Sequence, residues 1–169
     1  IPTTNESYGY HAHDKSHKPV SFFVDLLVRA AARGGNLLMN VGPMGNGKID
    51  PVDVGILSGI GNWLMPNGES IYGVERTPLA VQAWGDTTVR GNRLYLHVMD
   101  WPDSGELGVG GLKTPVNEAR VLTENDAASL DFRRRNDMDV AIVIPQYAPD
   151  ALSTVIVLEL DGPPVADSA

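Results

Sequence analysis

The run Asn36-Leu37-Leu38-Met39-Asn40-Val41 constrains this chain more than any other feature. It is too apolar for a strand with one wet face, and such runs belong to parallel sheets covered on both sides. Yet it stands alone between two helical patterns. The first carries an apolar stripe of Val20, Phe23, Val24, Leu27 and Ala31, with Pro19 suited to the first helical position. Gly34-Gly35 supplies its left-handed stop. The second opens at Asp50-Pro51, an N-cap followed by a proline, and runs through Leu57, Ile60 and Leu64 to Asn67-Gly68. Gly55, Gly59 and Gly61 each cost that helix about 1 kcal/mol relative to alanine. Close packing against a neighbour is the expected compensation. A single buried strand between two helices leaves both its edges unpaired. Neighbouring strands must come from elsewhere, so residues 1–75 read as one unit of a larger α/β fold.

After Glu75 the hydrophobic period falls to two. Strands are predicted over Thr77–Trp84, Thr87–Arg90, Arg93–Met99, Glu106–Val109, Ala119–Thr123, Ser129–Arg133, Val140–Ile144 and Thr154–Leu160. Gly91-Asn92 is a two-residue hairpin signal. Short strands punctuated by Gly, Pro and Asn point to an antiparallel β-sandwich, with a self-contained unit as one reading. The reading is therefore α/β plus all-β: residues 1–75 from the α/β fold, 76–162 a sandwich, and 163–169 a flexible tail.

Composition narrows the function classes. The chain has 21 Asp and Glu against 13 Lys and Arg, a formal net charge of -8, so it lacks the clustered cations of a nucleic-acid partner. Its nearest basic run, Arg133-Arg134-Arg135, sits among Asp131, Asp137 and Asp139. The absence of cysteine excludes disulfides, thiolate zinc sites and thiol catalysis. No apolar run approaches the roughly 20 residues of a membrane helix, so no membrane partner is expected. The sequence opens at Ile1 without an initiator Met or a signal-peptide pattern, and is expected to be processed or cut from a longer protein.

Short motifs give weaker signals. Gly42-Pro43-Met44-Gly45-Asn46-Gly47-Lys48 fits GxxxxGK between a strand and a helix. Ile49 replaces the hydroxyl that would hold Mg²⁺, Pro43 removes an N–H from the cradle, and the helix starts late. A structural loop is the better reading. His11, His13 and His17 with Asp14 follow no compact metal-binding spacing, so neither metal nor cofactor is assigned. Asn5-Glu6-Ser7 matches a glycosylation sequon by a pattern common by chance. Trp84 and Trp101 are the residues of the sandwich that could stack on a sugar, against packing in its core. No complete catalytic constellation is visible.

Ser7-Tyr8-Gly9-Tyr10 resembles the SWGY segment of the α-L-fucosidases of glycoside hydrolase family 29, and Arg33-Gly34-Gly35-Asn36-Leu37-Leu38-Met39-Asn40-Val41-Gly42-Pro43 resembles their GGNLLLNVGP strand. Gly47-Lys48-Ile49, Ile60 to Leu64 and Asn67 to Gly73 continue the resemblance in order. Gly91 to Val98 and Thr154 to Glu159 are similar to the family's C-terminal domain. Tyr8 stands where the motif usually has Trp.

The resemblance implies the terminal part of a (β/α)8-like barrel followed by the sandwich, in an enzyme that releases terminal α-L-fucose from glycans with retention and without a cofactor. An Asp attacks the anomeric carbon while a Glu protonates the leaving oxygen. Neither is expected in this chain: the Asp lies well upstream and the Glu just before Ile1, and Glu6 is set aside because it abuts Ser7-Tyr8-Gly9-Tyr10. On this reading the chain's partners are fucosylated glycans and the rest of the barrel, with a secreted or periplasmic location. Barrel sites lie at the C-terminal ends of the strands. Asn40, Gly42 and Pro43 would then line the substrate pocket, with Tyr8 and His11 on the preceding loop. The rival reading is a non-catalytic carbohydrate-binding module.

Overall fold

In the computed structural model, which describes residues 1–123 and 129–167, the two helices are set by their ends. Helix α1 (Val20–Ala32) starts one residue after Pro19, which stays extended as the N-cap. It stops at Gly34, whose φ of 71° suits a glycine. There the Gly34 N–H donates to Ala31 O and the Gly35 N–H to Ala30 O, the paired bonds of a Schellman cap. Helix α2 (Pro51–Asn67) opens as predicted, with the Val52 N–H donating to Asp50 Oδ1 at 2.8 Å.

The buried face of α2 differs from the expected one. It is Asp53, Ile56, Trp63 and Asn67, whereas Leu57 is exposed. The periodicity was that of a helix apolar on most sides, and its partner selected the face. Of the three helix glycines, only Gly59 packs closely: a Cβ there would lie 2.7 Å from Val20 Cγ2 on α1. Gly55 and Gly61 meet open space.

Residues 36–41 form no regular ladder. They carry one parallel bridge, Pro2 to Asn40, made by Asn40 N–H to Ile1 O (2.8 Å) and Thr3 N–H to Asn40 O (3.2 Å). Leu38, in the middle of this apolar run, is 83% exposed. Within the described residues the run has a neighbour on one edge over a few residues only.

Among the described residues seven strands make two antiparallel sheets. Strands β1 (Gly85–Arg90), β2 (Arg93–Val98), β4 (Val116–Val121) and β7 (Thr154–Leu160) form the first in the order β1-β2-β7-β4. Strands β3 (Glu106–Val109), β5 (Phe132–Arg134) and β6 (Val140–Val143) form the second in the order β3-β6-β5. The Gly91-Asn92 turn sets the first register, pairing Arg90 with Arg93. Between the sheets lie Leu94, Leu96, Val98, Ile156 and Leu158, with Leu107, Val140 and Ile142 opposite.

The alternate residues of the first sheet face the helices. Tyr95, Val155 and Val157 pack with Val24, Val28 and Trp63, so this sheet is apolar on both faces. The sandwich is therefore not self-contained: without α1 and α2 one of its sheets would expose a core face. Trp63 reinforces the junction by donating its indole N–H to Ser153 O at 2.9 Å.

Two other expectations change. Thr77–Trp84 is not a strand; Leu79 and Trp84 plug the sandwich core, and the Gln82 side chain bonds Gly110 N–H and Gly110 O where a ladder would. Pro78 also removes a donor from that segment. Residues 163–167 do not fray: Lys113 N–H bonds Val165 O, Asp167 N–H bonds Gly111 O, and Lys113 pairs with Asp167. Small residues predict a loose tail, but the backbone finds partners. Ser168 and Ala169 lie outside the described residues.

Candidate functional site

The parallel bridge brings two loops to one end of the fold. One follows Thr3 and returns to α1; the other follows Asn40 and leads to α2. They interlock. Asn40 Nδ2 donates to Tyr8 O at 2.5 Å. Gly42 is buried against the Gly9–Tyr10 peptide, where a Cβ would lie 2.3 Å from Tyr10 N and 2.6 Å from Gly9 C. No side chain fits there, which gives the glycine its physical reason.

Of the predicted pocket residues, Tyr8, Asn40 and Gly42 are thus brought together. His11 lies on the same loop and shares the lining of a small cavity with Gly42. Pro43 is exposed and is bridged to Ile49 across its own loop. That loop closes on itself: Met44 N–H bonds Lys48 O, Gly47 N–H bonds Met44 O, and Lys48 N–H bonds Asn46 Oδ1. Three of its N–H groups, those of Met44, Gly47 and Lys48, are spent internally, which works against a phosphate cradle.

The first loop is fastened by its own polar residues. Thr4 and His17 form an antiparallel bridge, and Lys18 Nζ donates to the carbonyls of Pro2 and Thr4. Asp14 is buried and accepts from Ser16 N–H (2.9 Å) and Ser16 Oγ (2.5 Å). The Ser16 hydroxyl, then its N–H, hold the Asp14 carboxyl below the usual range. His17 Nε2 lies 3.4 Å from Asp53 Oδ1 on α2, a carboxylate only 4% exposed.

Asp14, His17 and Asp53 line a cavity of about 20 Å³, the size of one water. The sequence reading did not single out Asp53. Its place in the first turn of α2 marks it only as an acid suited to the helix dipole. Tyr10, 41% exposed beside the 70% exposed Tyr8, was likewise not assigned; alternation within Ser7-Tyr8-Gly9-Tyr10 was the available signal.

The histidines do not converge. His11 and His13 meet edge to face at 5.8 Å, while His17 turns to Asp53. Among the described residues no three of His, Cys, Asp and Glu gather as a metal site. Two carboxylates of this end hold hydrogen bonds, Asp14 with Ser16 and Asp50 at the α2 cap, while Asp53 Oδ1 lies 3.4 Å from His17 Nε2 without a hydrogen bond. What the arrangement supplies is a braced rim with exposed aromatic and imidazole groups. No helix of the described residues is long and apolar enough to cross a membrane.

Comparison with known proteins gives a consistent result. The α-L-fucosidase family model matches residues 1–69. The α-L-fucosidase of Dictyostelium discoideum is 31% identical over 171 aligned positions, covering 96% of this chain and 35% of that protein. The human tissue α-L-fucosidase is 31% identical over 139 positions, 78% of this chain and 29% of its own length. Among solved structures, α-L-fucosidase isoenzyme 1 from Paenibacillus thiaminolyticus superposes with a TM-score of 0.87 at 35% identity, covering 95% of this chain and 39% of that one. A family 29 α-L-fucosidase from Bacteroides thetaiotaomicron, trapped as a covalent intermediate with 2-fluoro-fucosyl fluoride, superposes at 0.85 with 25% identity. The chain spans from about a third to two-fifths of the length of most of these relatives.

Proposed function

We propose, from the premise that this chain belongs to the α-L-fucosidases of glycoside hydrolase family 29, that the polypeptide it forms part of hydrolyses terminal α-L-fucosides with retention. In that reaction an Asp forms a glycosyl-enzyme bond as a Glu protonates the departing oxygen, and water then releases fucose with the Glu as base. Both carboxylates lie outside this chain on this reading. The chain contributes the end of the barrel, its last loops and the sandwich that buttresses α1 and α2.

The interlocked loops support this reading most. Tyr8 and Asn40 meet at the end of two parallel segments, where a barrel places its substrate. Gly42 lets the loops close, and His11 stands on the rim. Pro43 is bridged to Ile49 and serves the shape of its loop. The exposed apolar residues Leu38, Val52 and Val54 are where the rest of the barrel would pack. Export to the periplasm or outside the cell belongs to the same proposal.

The carbohydrate-module reading loses its aromatic platform. Trp84 is buried and donates to Gly108 O, and Trp101 donates to Pro145 O. An aryl α-L-fucoside assay tests the proposal. The polypeptide with a complete barrel should release the phenol, and this chain alone should not. Turnover by the purified chain alone would overturn the upstream placement of the carboxylates.

A further inference from the structure

A cleft of about 450 Å³ opens between α1 and the sandwich, within the roughly 300–1,000 Å³ of small-ligand pockets. Phe22, Asp25 and Arg29 line it from α1, and Asp86, Met99 and Asp100 from the sandwich. None of the rim residues discussed above lines it. Arg29 Nε donates to Asp25 Oδ1 at 2.8 Å, with Asp86 and Asp100 inside its electrostatic reach. Asp86 is buried and held from behind by Arg33 at 3.0 Å. Asp100 is exposed.

The charge pattern selects a ligand class. Two guanidinium groups stand against three carboxylates, so the excess charge is small. An anion would meet Asp100 and Asp25, and a cation would meet Arg29. A neutral polyol satisfies both kinds of group, because each hydroxyl donates to a carboxylate and accepts from a guanidinium. The cleft also offers an apolar surface for C–H groups. Phe22 is 38% exposed, its ring set edge to face on Phe23 at 5.3 Å with Lys18 Nζ 5.9 Å from its centroid. A ring so held presents a fixed surface at low entropic cost.

We propose that this cleft binds a neutral sugar unit, with Asp100, Asp25 and Arg29 on its hydroxyls and Phe22 against its C–H surface. α1 begins where the Tyr8 loop ends, so the cleft and the rim share one segment of chain. The inference rests on the proposed action on glycans only for its choice of sugars as ligands.

The test uses the polypeptide with a complete barrel and two probes, lactose and L-fucose, titrated by saturation-transfer NMR. Lactose carries no fucosyl group, so fucoside hydrolysis cannot consume it. Saturable lactose binding is expected, weakened at least tenfold by Asp100→Ala and by Phe22→Ala, while kcat/KM on an aryl α-L-fucoside stays within twofold. Asp100 is exposed, so its variant keeps the test valid if Phe22→Ala folds poorly. Absent lactose binding, or binding that Asp100→Ala leaves unchanged, overturns the proposal. Fucoside inactivity with intact lactose binding would instead overturn the hydrolase reading and leave the cleft assignment standing.

Discussion

His97 makes the protein's stability depend on pH. Its ring is fully buried between the first sheet and α2, 6.3 Å from the Trp63 ring. The Thr88 hydroxyl donates its one proton to Ser70 O at 2.6 Å, so toward His97 Nε2, 3.0 Å away, it acts as acceptor. That assigns the proton to Nε2 and leaves Nδ1 buried with no hydrogen-bond partner. An imidazolium would add a charge and a second N–H with no acceptor. Burial accordingly lowers the His97 pKa from 6.5 to about 3, with the Ser70 carbonyl opposing only weakly.

Because the folded pKa lies below the unfolded one, the unfolded chain holds more protons between pH 6.5 and about 3. The stability contribution is complete above that window and is lost as pH falls through it. At pH 5 the loss is about 2 kcal/mol, growing to about 4 kcal/mol at pH 3, from about 1.4 kcal/mol per pH unit. Urea unfolding followed by tryptophan fluorescence, at pH 7 and pH 5, measures it. Carboxylates also titrate in acid, so the comparison is with His97→Gln, which lacks the ionisable ring. The wild type should lose about 2 kcal/mol more than the variant between the two pH values. Equal losses in both would refute the reasoning, because His97 would then titrate alike folded and unfolded.

Gly42→Ala puts a methyl group into the Gly9–Tyr10 peptide and should cost about 1–3 kcal/mol by overpacking. Amide exchange over residues 4–19 should rise, and kcat/KM of the barrel-complete polypeptide should fall by about tenfold; unchanged exchange would count against the interlock. Trp63→Phe leaves the Ser153 carbonyl without its indole donor, and should lower the urea midpoint by the equivalent of about 1–3 kcal/mol with m unchanged. Asp50→Ala removes the N-cap of α2 and should cost about 1 kcal/mol in the same assay.

Local chemistry carried the parts of the fold that could be read from sequence. The Gly34 stop, the Asp50-Pro51 start and the Gly91-Asn92 turn each depend on a few adjacent residues, and each lies where those residues place it. The α2 face was not legible, because Leu57 and Ile56 are equally apolar and only the sheet against Trp63 distinguishes their sides. For the same reason Thr77–Trp84 imitated a strand: its apolar residues fill the end of the sandwich while the Gln82 side chain replaces ladder bonds.

The candidate site divides along the same line. Gly42 could be placed at a strand end from its motif, but its necessity arises from a peptide on another loop. The His17–Asp53 contact joins residues that no spacing rule connects. The opening feature connects both cases. Residues 36–41 are apolar enough to be buried on every side, yet within the described residues they hold a single bridge and leave Leu38 in solvent. Helix caps and hairpin turns are satisfied within the chain, whereas this run needs strands beside it. On the proposed reading the rim derives its order from two sources: the contacts of Asn40, Gly42, Lys18 and His17 within this chain, and a pairing of residues 36–41 with the remainder of the barrel.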